Sequence, residues 1–170
     1  RCYGKDGRPC VHKDGYAEYR CEYDAHGNKS SCRYYGVDGK PCLHKEGHAG
    51  WIAEYDARGN ETRRVYFGVD GKPCLHKDGY AERRREYDVR DNETAIRYYG
   101  AEGKPCLQKD GVAGRIYEYD ARGLVIRQID VGVDGRPAFG KGEPAEGRCE
   151  YDAYGNWIAL RNFGPDGKPC

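Results

Sequence analysis

"GVDGKPCLHK" occupies residues 36–45, and the same ten letters return at residues 68–77. Around them the "G-K/R-P" element recurs in register, ending at Cys10, Cys42, Cys74, Cys106, Ala138 and Cys170, each 32 residues after the last and without insertion. A fixed period of this size is the signature of a repeat architecture, in which each unit is one supersecondary element that buries its apolar face against its neighbours. The whole chain, 1–170, therefore reads as a single repeat array. Its units run 4–35, 36–67, 68–99, 100–131 and 132–163, with a sixth begun at 164–170.

The punctuation inside each unit is that of β-structure. "EYD" stands at residues 22–24, 54–56, 86–88, 118–120 and 150–152, followed by turn chemistry such as "AHGN", "ARGN" and "AYGN". A second turn, "VDGK" or "AEGK", follows about a dozen residues later. Asn-Gly and Asp-Gly pairs tolerate positive φ and match the twist of paired strands. Between the turns, Ala17, Tyr19, Cys21 and Tyr23 alternate with Glu18, Arg20, Glu22 and Asp24, the period of a half-buried strand.

One β-hairpin per unit is the simplest reading. The remaining "KPCLHKDG" is then a third short strand or an ordered connection, because proline cannot donate to a central ladder. The expected fold is all-β, an elongated, β-solenoid-like tandem array of stacked hairpins with a 32-residue period. Alanines recur at 17, 49, 81, 113 and 145, where close approach of backbone or of a stacked tyrosine is expected.

Composition narrows the function classes. Hydrophobic residues make up 38% of the chain and mean hydropathy is -1.01, so any core is thin, and 16 tyrosines must supply much of the burial. Basic and acidic residues number 29 and 28 and are interspersed, which leaves no field of one sign to draw a nucleic acid or an anionic membrane. No run of about 18 apolar residues is present, so no membrane-spanning helix is expected. With no methionine and a first residue that falls inside a repeat, the chain reads as a segment of a longer protein.

The element Y-x-Y-D-x-x-G, "YEYDARG" at 117–123 with variants at 21–27 and 149–155, resembles the core of the YD repeats of bacterial Rhs-type proteins. That resemblance implies a hairpin array forming a spiral or shell, with a structural, adhesive or cargo-enclosing role, on or outside a bacterial cell. The Rhs-type repeats are shorter and carry no counterpart of "KPCLHKDG".

Of nine cysteines, Cys21 and Cys32 are the pair that a two-residue turn at His26 and Gly27 would set opposite each other, which makes a cross-strand disulfide possible. The periodic cysteines would lie roughly 10 Å apart if each unit adds two strands, beyond the reach of a disulfide. Cys10 with His12, Cys42 with His44 and Cys74 with His76 place a thiol and an imidazole on one face of an extended segment, ligands that zinc or copper accepts. Unit four has Gln108, and unit five has Ala138 and Gly140, at the corresponding places, so packing is the stronger reading and no cofactor is required.

The same Cys and His pairs are the minimum of thiol catalysis, but three copies without an orienting third group argue against an enzyme. The Asp-Gly loops offer too few oxygens for calcium, and no phosphate-cradling loop precedes a helix. Tyr19, Trp51, Tyr80 and Trp157 form a possible aromatic stripe for a glycan, weighed against stacking that merely holds the array together. The function expected is a non-enzymatic structural or binding scaffold of the cell surface or secreted space. Its partners are neighbouring repeats, a protein or a glycan, and its open ends allow end-to-end assembly into a filament.

Overall fold

The computed structural model describes residues 2–3 and 7–170; Gly4, where the first unit was expected to open, lies outside the described residues. The chain is all-β, with ten strands and no helix among the described residues. The strands are β1 (Glu18–Tyr23), β2 (Lys29–Tyr35), β3 (Gly50–Tyr55), β4 (Glu61–Phe67), β5 (Glu82–Tyr87), β6 (Glu93–Tyr99), β7 (Gly114–Tyr119), β8 (Val125–Val131), β9 (Glu146–Tyr151) and β10 (Trp157–Phe163).

Two compact units divide them. The first holds the residues up to Arg83 together with Gly100–Gly103, and the second holds Arg84–Tyr99 and Lys104–Cys170. In the first, β1 to β4 pair antiparallel in chain order. In the second, β6 to β10 do the same. Consecutive hairpins thus lie side by side, the last strand of one paired to the first strand of the next.

The hairpin tip explains why "YD" and "G" recur. Asp24 accepts the main-chain amides of His26 at 2.9 Å and Asn28 at 2.8 Å through Oδ1, while Oδ2 accepts the Asn28 side-chain amide at 3.0 Å. Gly27 closes the turn at φ +86, with its amide donated to the Asp24 carbonyl. Asp56, Asp120 and Asp152 accept the corresponding two main-chain amides in their own turns. In the β5–β6 turn the left-handed position is taken by Asp91, at φ 66, one of the few side chains that tolerate it.

The turn differs from the expected two-residue form: three residues, 25–27, lie between the paired Asp24 and Asn28. A register shift between Glu22 and Tyr23 absorbs the extra residue, so Cys21 still faces Cys32. This is a type I turn with a bulge, which restores the strand twist that a type I turn alone would splay.

The connection is ordered and forms no third strand. Gly36 to Lys40 make a second turn, closed by Gly39 at φ +75 and capped by Asp38. The chain then pairs for two residues beside β2, through a bridge of Pro41 to Tyr35 and the Cys42 amide bonded to the Tyr34 carbonyl. Pro41 brings no N–H to this pairing, and the Cys42 amide supplies the bond. A third turn, from His44 to His48, is closed by Gly47 at φ +90. The Lys45 amide bonds the Asp14 carbonyl of the preceding connection at 2.8 Å, and Lys77 bonds Glu46 at 2.8 Å. Lys141 bonds Asp110 at 2.7 Å in the second unit.

The core is thin, and small residues define it. All five recurrent alanines, 17, 49, 81, 113 and 145, are buried. Ala49 donates to the Phe67 carbonyl and accepts the Tyr34 amide, so its side chain sits where two strand ends converge. In β3 the expected alternation is clear, with Trp51 and Ala53 inside and Ile52 and Glu54 outside. In β1 the same sequence pattern leaves Tyr19 and Tyr23 exposed, because this face is covered only by side chains of adjoining strands and β1 pairs with β2 alone. Buried carboxylates are matched: Arg63 bridges Glu54 and Glu82, Arg127 bridges Glu118 and Glu146, and Asp130 receives Arg115.

Gly27→Ala is expected to cost about 1 kcal/mol, since an added Cβ meets nothing and only the left-handed backbone is penalised. Gly50→Ala is expected to cost more, because its Cβ would lie 2.6 Å from the Cys32 carbonyl oxygen. Urea unfolding of both variants measures the order, and a reversed order would contradict these assignments.

Candidate functional site

The third turns of the connections in the first compact unit build the most distinctive side-chain feature among the described residues. Because His44 and His48 are paired across a tight turn through the His44 amide and the His48 carbonyl, their rings lie together, with centroids 5.3 Å apart. His12 with Tyr16, at 5.1 Å, and His76 with Tyr80, at 5.5 Å, repeat the arrangement one connection earlier and one later. Tyr34 from β2 and Tyr66 from β4 fit between these pairs, Tyr34 at 5.0 Å from His44 and Tyr66 at 4.7 Å from His48. The result, all within the first compact unit, is a continuous ladder of four tyrosines and four histidines.

The Nδ1 atoms of His12, His44 and His76 accept the amides of Asp14, Glu46 and Asp78. His76 also places its Nε2 3.2 Å from Glu46 Oε2. Glu46 also receives Lys77 at 2.8 Å. The Lys77 hydrogen bond, then those of His76, hold the Glu46 carboxyl down at about 2 against its own desolvation.

His48 is the deepest member, 2% exposed, and its Nδ1 has no hydrogen-bond partner. Burial, followed by the neighbouring His44 and His76, pushes it down to about 4, with Glu46 opposing. Burial also lowers His44 and raises Tyr16 and Tyr34.

The residues expected to act together are dispersed. His12, His44 and His76 enter the ladder, whereas the Cys42 and Cys74 thiols turn toward the Gly15 and Gly47 carbonyls of the preceding connection, at 3.7 and 3.8 Å. Cys10 is half-buried. Burial raises Cys42, Cys74 and Cys106, which keeps those thiols protonated. Among the described residues the grouping of three metal-ligating side chains is His44, Glu46 and His48, and it contains no cysteine.

Cys21 and Cys32 are joined as a disulfide across β1 and β2. The aromatic stripe is corrected: Trp51 and Tyr80 are buried, Trp51 beneath the Arg64 guanidinium at 3.9 Å, while Tyr19 and Trp157 are exposed in different compact units. Trp51 is covered because it pairs with Cys32 on one side and Tyr66 on the other.

Sequence reasoning passed over Glu46 and His48. Superposing the repeats finds them: His48 stands in the column of Tyr16 and Tyr80, and Glu46 in that of Asp14 and Asp78.

No protein-family model matches the sequence, and no curated protein matches it. Among solved structures the chain is similar to one titled "Crystal Structure of TcdB2-TccC3", at 15% identity and a TM-score of 0.34, over 88% of this chain. The match spans 9% of the length of that chain.

The depression of His48 fixes a pH dependence. Below the ordinary imidazole value the unfolded chain takes up a proton that the folded chain refuses, so its contribution is full above pH 6.5 and is lost as pH falls toward 4. The loss amounts to about 3 kcal/mol, with that of Glu46 following between pH 4.5 and 2. Thermal melts in chelator-containing buffer should be flat from pH 7 to 8 and decline steeply below 6.5. A midpoint unchanged down to pH 4.5 would refute the placement of His48.

Proposed function

We propose that the chain is a non-enzymatic repeat scaffold with kinship to YD-repeat proteins, a segment of a longer bacterial surface or secreted protein that presents its face to a protein partner. One observation carries this reading: the residues that define the repeat are engaged in holding hairpin to hairpin. The tyrosine of "EYD" sends its hydroxyl to a main-chain carbonyl of the preceding hairpin, Tyr55 to Lys29 at 2.8 Å, Tyr119 to Glu93 at 2.7 Å and Tyr151 to Val125 at 3.0 Å. The aspartate caps the turn, the glycine closes it, and the cysteine and alanine pack against neighbouring main chain.

What recurs outside this framework is exposed and apolar. Val11, Leu43 and Leu75 in the first compact unit, and Leu107 and Phe139 in the second, occupy one column of the repeat. Such rows suit contact with another protein better than chemistry on a small substrate.

The experiment is removal of a whole unit, residues 36–67, which joins Tyr35 to Gly68 in register. The shortened chain is expected to keep its β-sheet circular dichroism and cooperative unfolding at a lower midpoint, since stability in such arrays is a sum over neighbouring contacts. Removal of half a unit, 36–51, should abolish folding. Collapse of both deletions alike would sink the scaffold reading.

A further inference from the structure

His48 poses a question that the scaffold reading leaves unanswered. At its place in the units on either side stand Tyr16 and Tyr80, rings that stack as well, whereas histidine leaves a buried nitrogen, Nδ1, without a partner. A buried polar atom in a native fold calls for an ordered water, an ion or a function. The surroundings select among these. His44 and Glu46 each bring a ligating atom within 4.8 Å of one on His48 and of each other, and Glu46 Oε2 lies 3.8 Å from His44 Nδ1.

Two imidazoles and a carboxylate suit zinc or copper; calcium and magnesium prefer oxygens alone. Zinc draws such atoms to about 2.1 Å, so the three side chains need only close inward around an ion. Glu46 is already oriented from outside by His76 Nε2 at 3.2 Å and Lys77 at 2.8 Å, the supporting hydrogen bonds that a ligating carboxylate requires.

We infer that His44, Glu46 and His48 bind one divalent transition-metal ion, zinc or copper, with His76 as the positioning residue behind Glu46. Ligation through His44 Nδ1 replaces its 3.2 Å contact with the Glu46 amide. Three protein ligands leave a fourth position for water. Among the described residues the trio stands alone: the corresponding residues are His12, Asp14 and Tyr16 in the preceding unit and His76, Asp78 and Tyr80 in the following one, each with a tyrosine where the third ligand stands. It also differs from the Cys and His pairs, since the thiols face away toward main-chain carbonyls.

The test is native mass spectrometry of the full chain titrated with zinc or copper ions, followed by the optical spectrum of the cobalt adduct. One ion per chain is expected, retained when Cys42 and Cys74 are both changed to serine and absent in His48→Tyr, a variant that keeps the ring stack of the adjacent units. Glu46→Gln should weaken binding at least tenfold, and the cobalt adduct should lack a thiolate charge-transfer band. No bound ion, equal binding by His48→Tyr, unchanged affinity in Glu46→Gln, or loss of the ion with the cysteines would each overturn the inference.

Discussion

The structure depends on one small interaction, a side chain that accepts main-chain amides across a turn closed by a left-handed residue. At the hairpin tip the acceptor is Asp24, in the second turn Asp38, and in the third the imidazole Nδ1 of His44. Turns of this design, three of them in unit 36–67, fold a polar chain that has little apolar surface to bury. Local capping thus sets the positions of the strands, and the thin layer of alanine, tyrosine and tryptophan then covers what the turns have brought together.

That division of labour explains what the sequence made legible. Turn residues announce themselves by type, so the hairpins and the facing of Cys21 by Cys32 followed from letters and spacing, while the connection was left between a third strand and an ordered segment. The register came out right although the turn has three residues instead of two, because the bulge between Glu22 and Tyr23 restores the count. Burial was harder to read. Alternation in β1 and β3 looks alike on paper, yet Tyr19 is exposed and Trp51 is covered, since coverage depends on how many strands adjoin and on an arginine arriving from β4.

The candidate site was hidden for a related reason. Cysteine and histidine two apart suggest a common face, but the chain turns immediately after them, so Cys42 faces the Gly15 carbonyl while His44 faces the ladder. The partner of His44 is His48, four residues on across the third turn. A departure from the repeat, histidine in a tyrosine column, was the available signal. Conversely, the loss of Cys and His in the fifth unit reflects a different filling of the same framework. Asp130, in the column of Tyr34 and Tyr66, is buried and paired with Arg115 at 3.2 Å.

The main-chain links between successive connections, Lys45 to Asp14, Lys77 to Glu46 and Lys141 to Asp110, involve no side-chain atom. Spacing and content are therefore separate properties of this chain. A rung may hold an imidazole, a phenol or an ion pair, and its neighbours remain at the same distance. Such a framework can acquire a chemically distinct position at a chosen interval along its length without renegotiating its geometry, much as a ruler keeps its divisions whatever is written beside them.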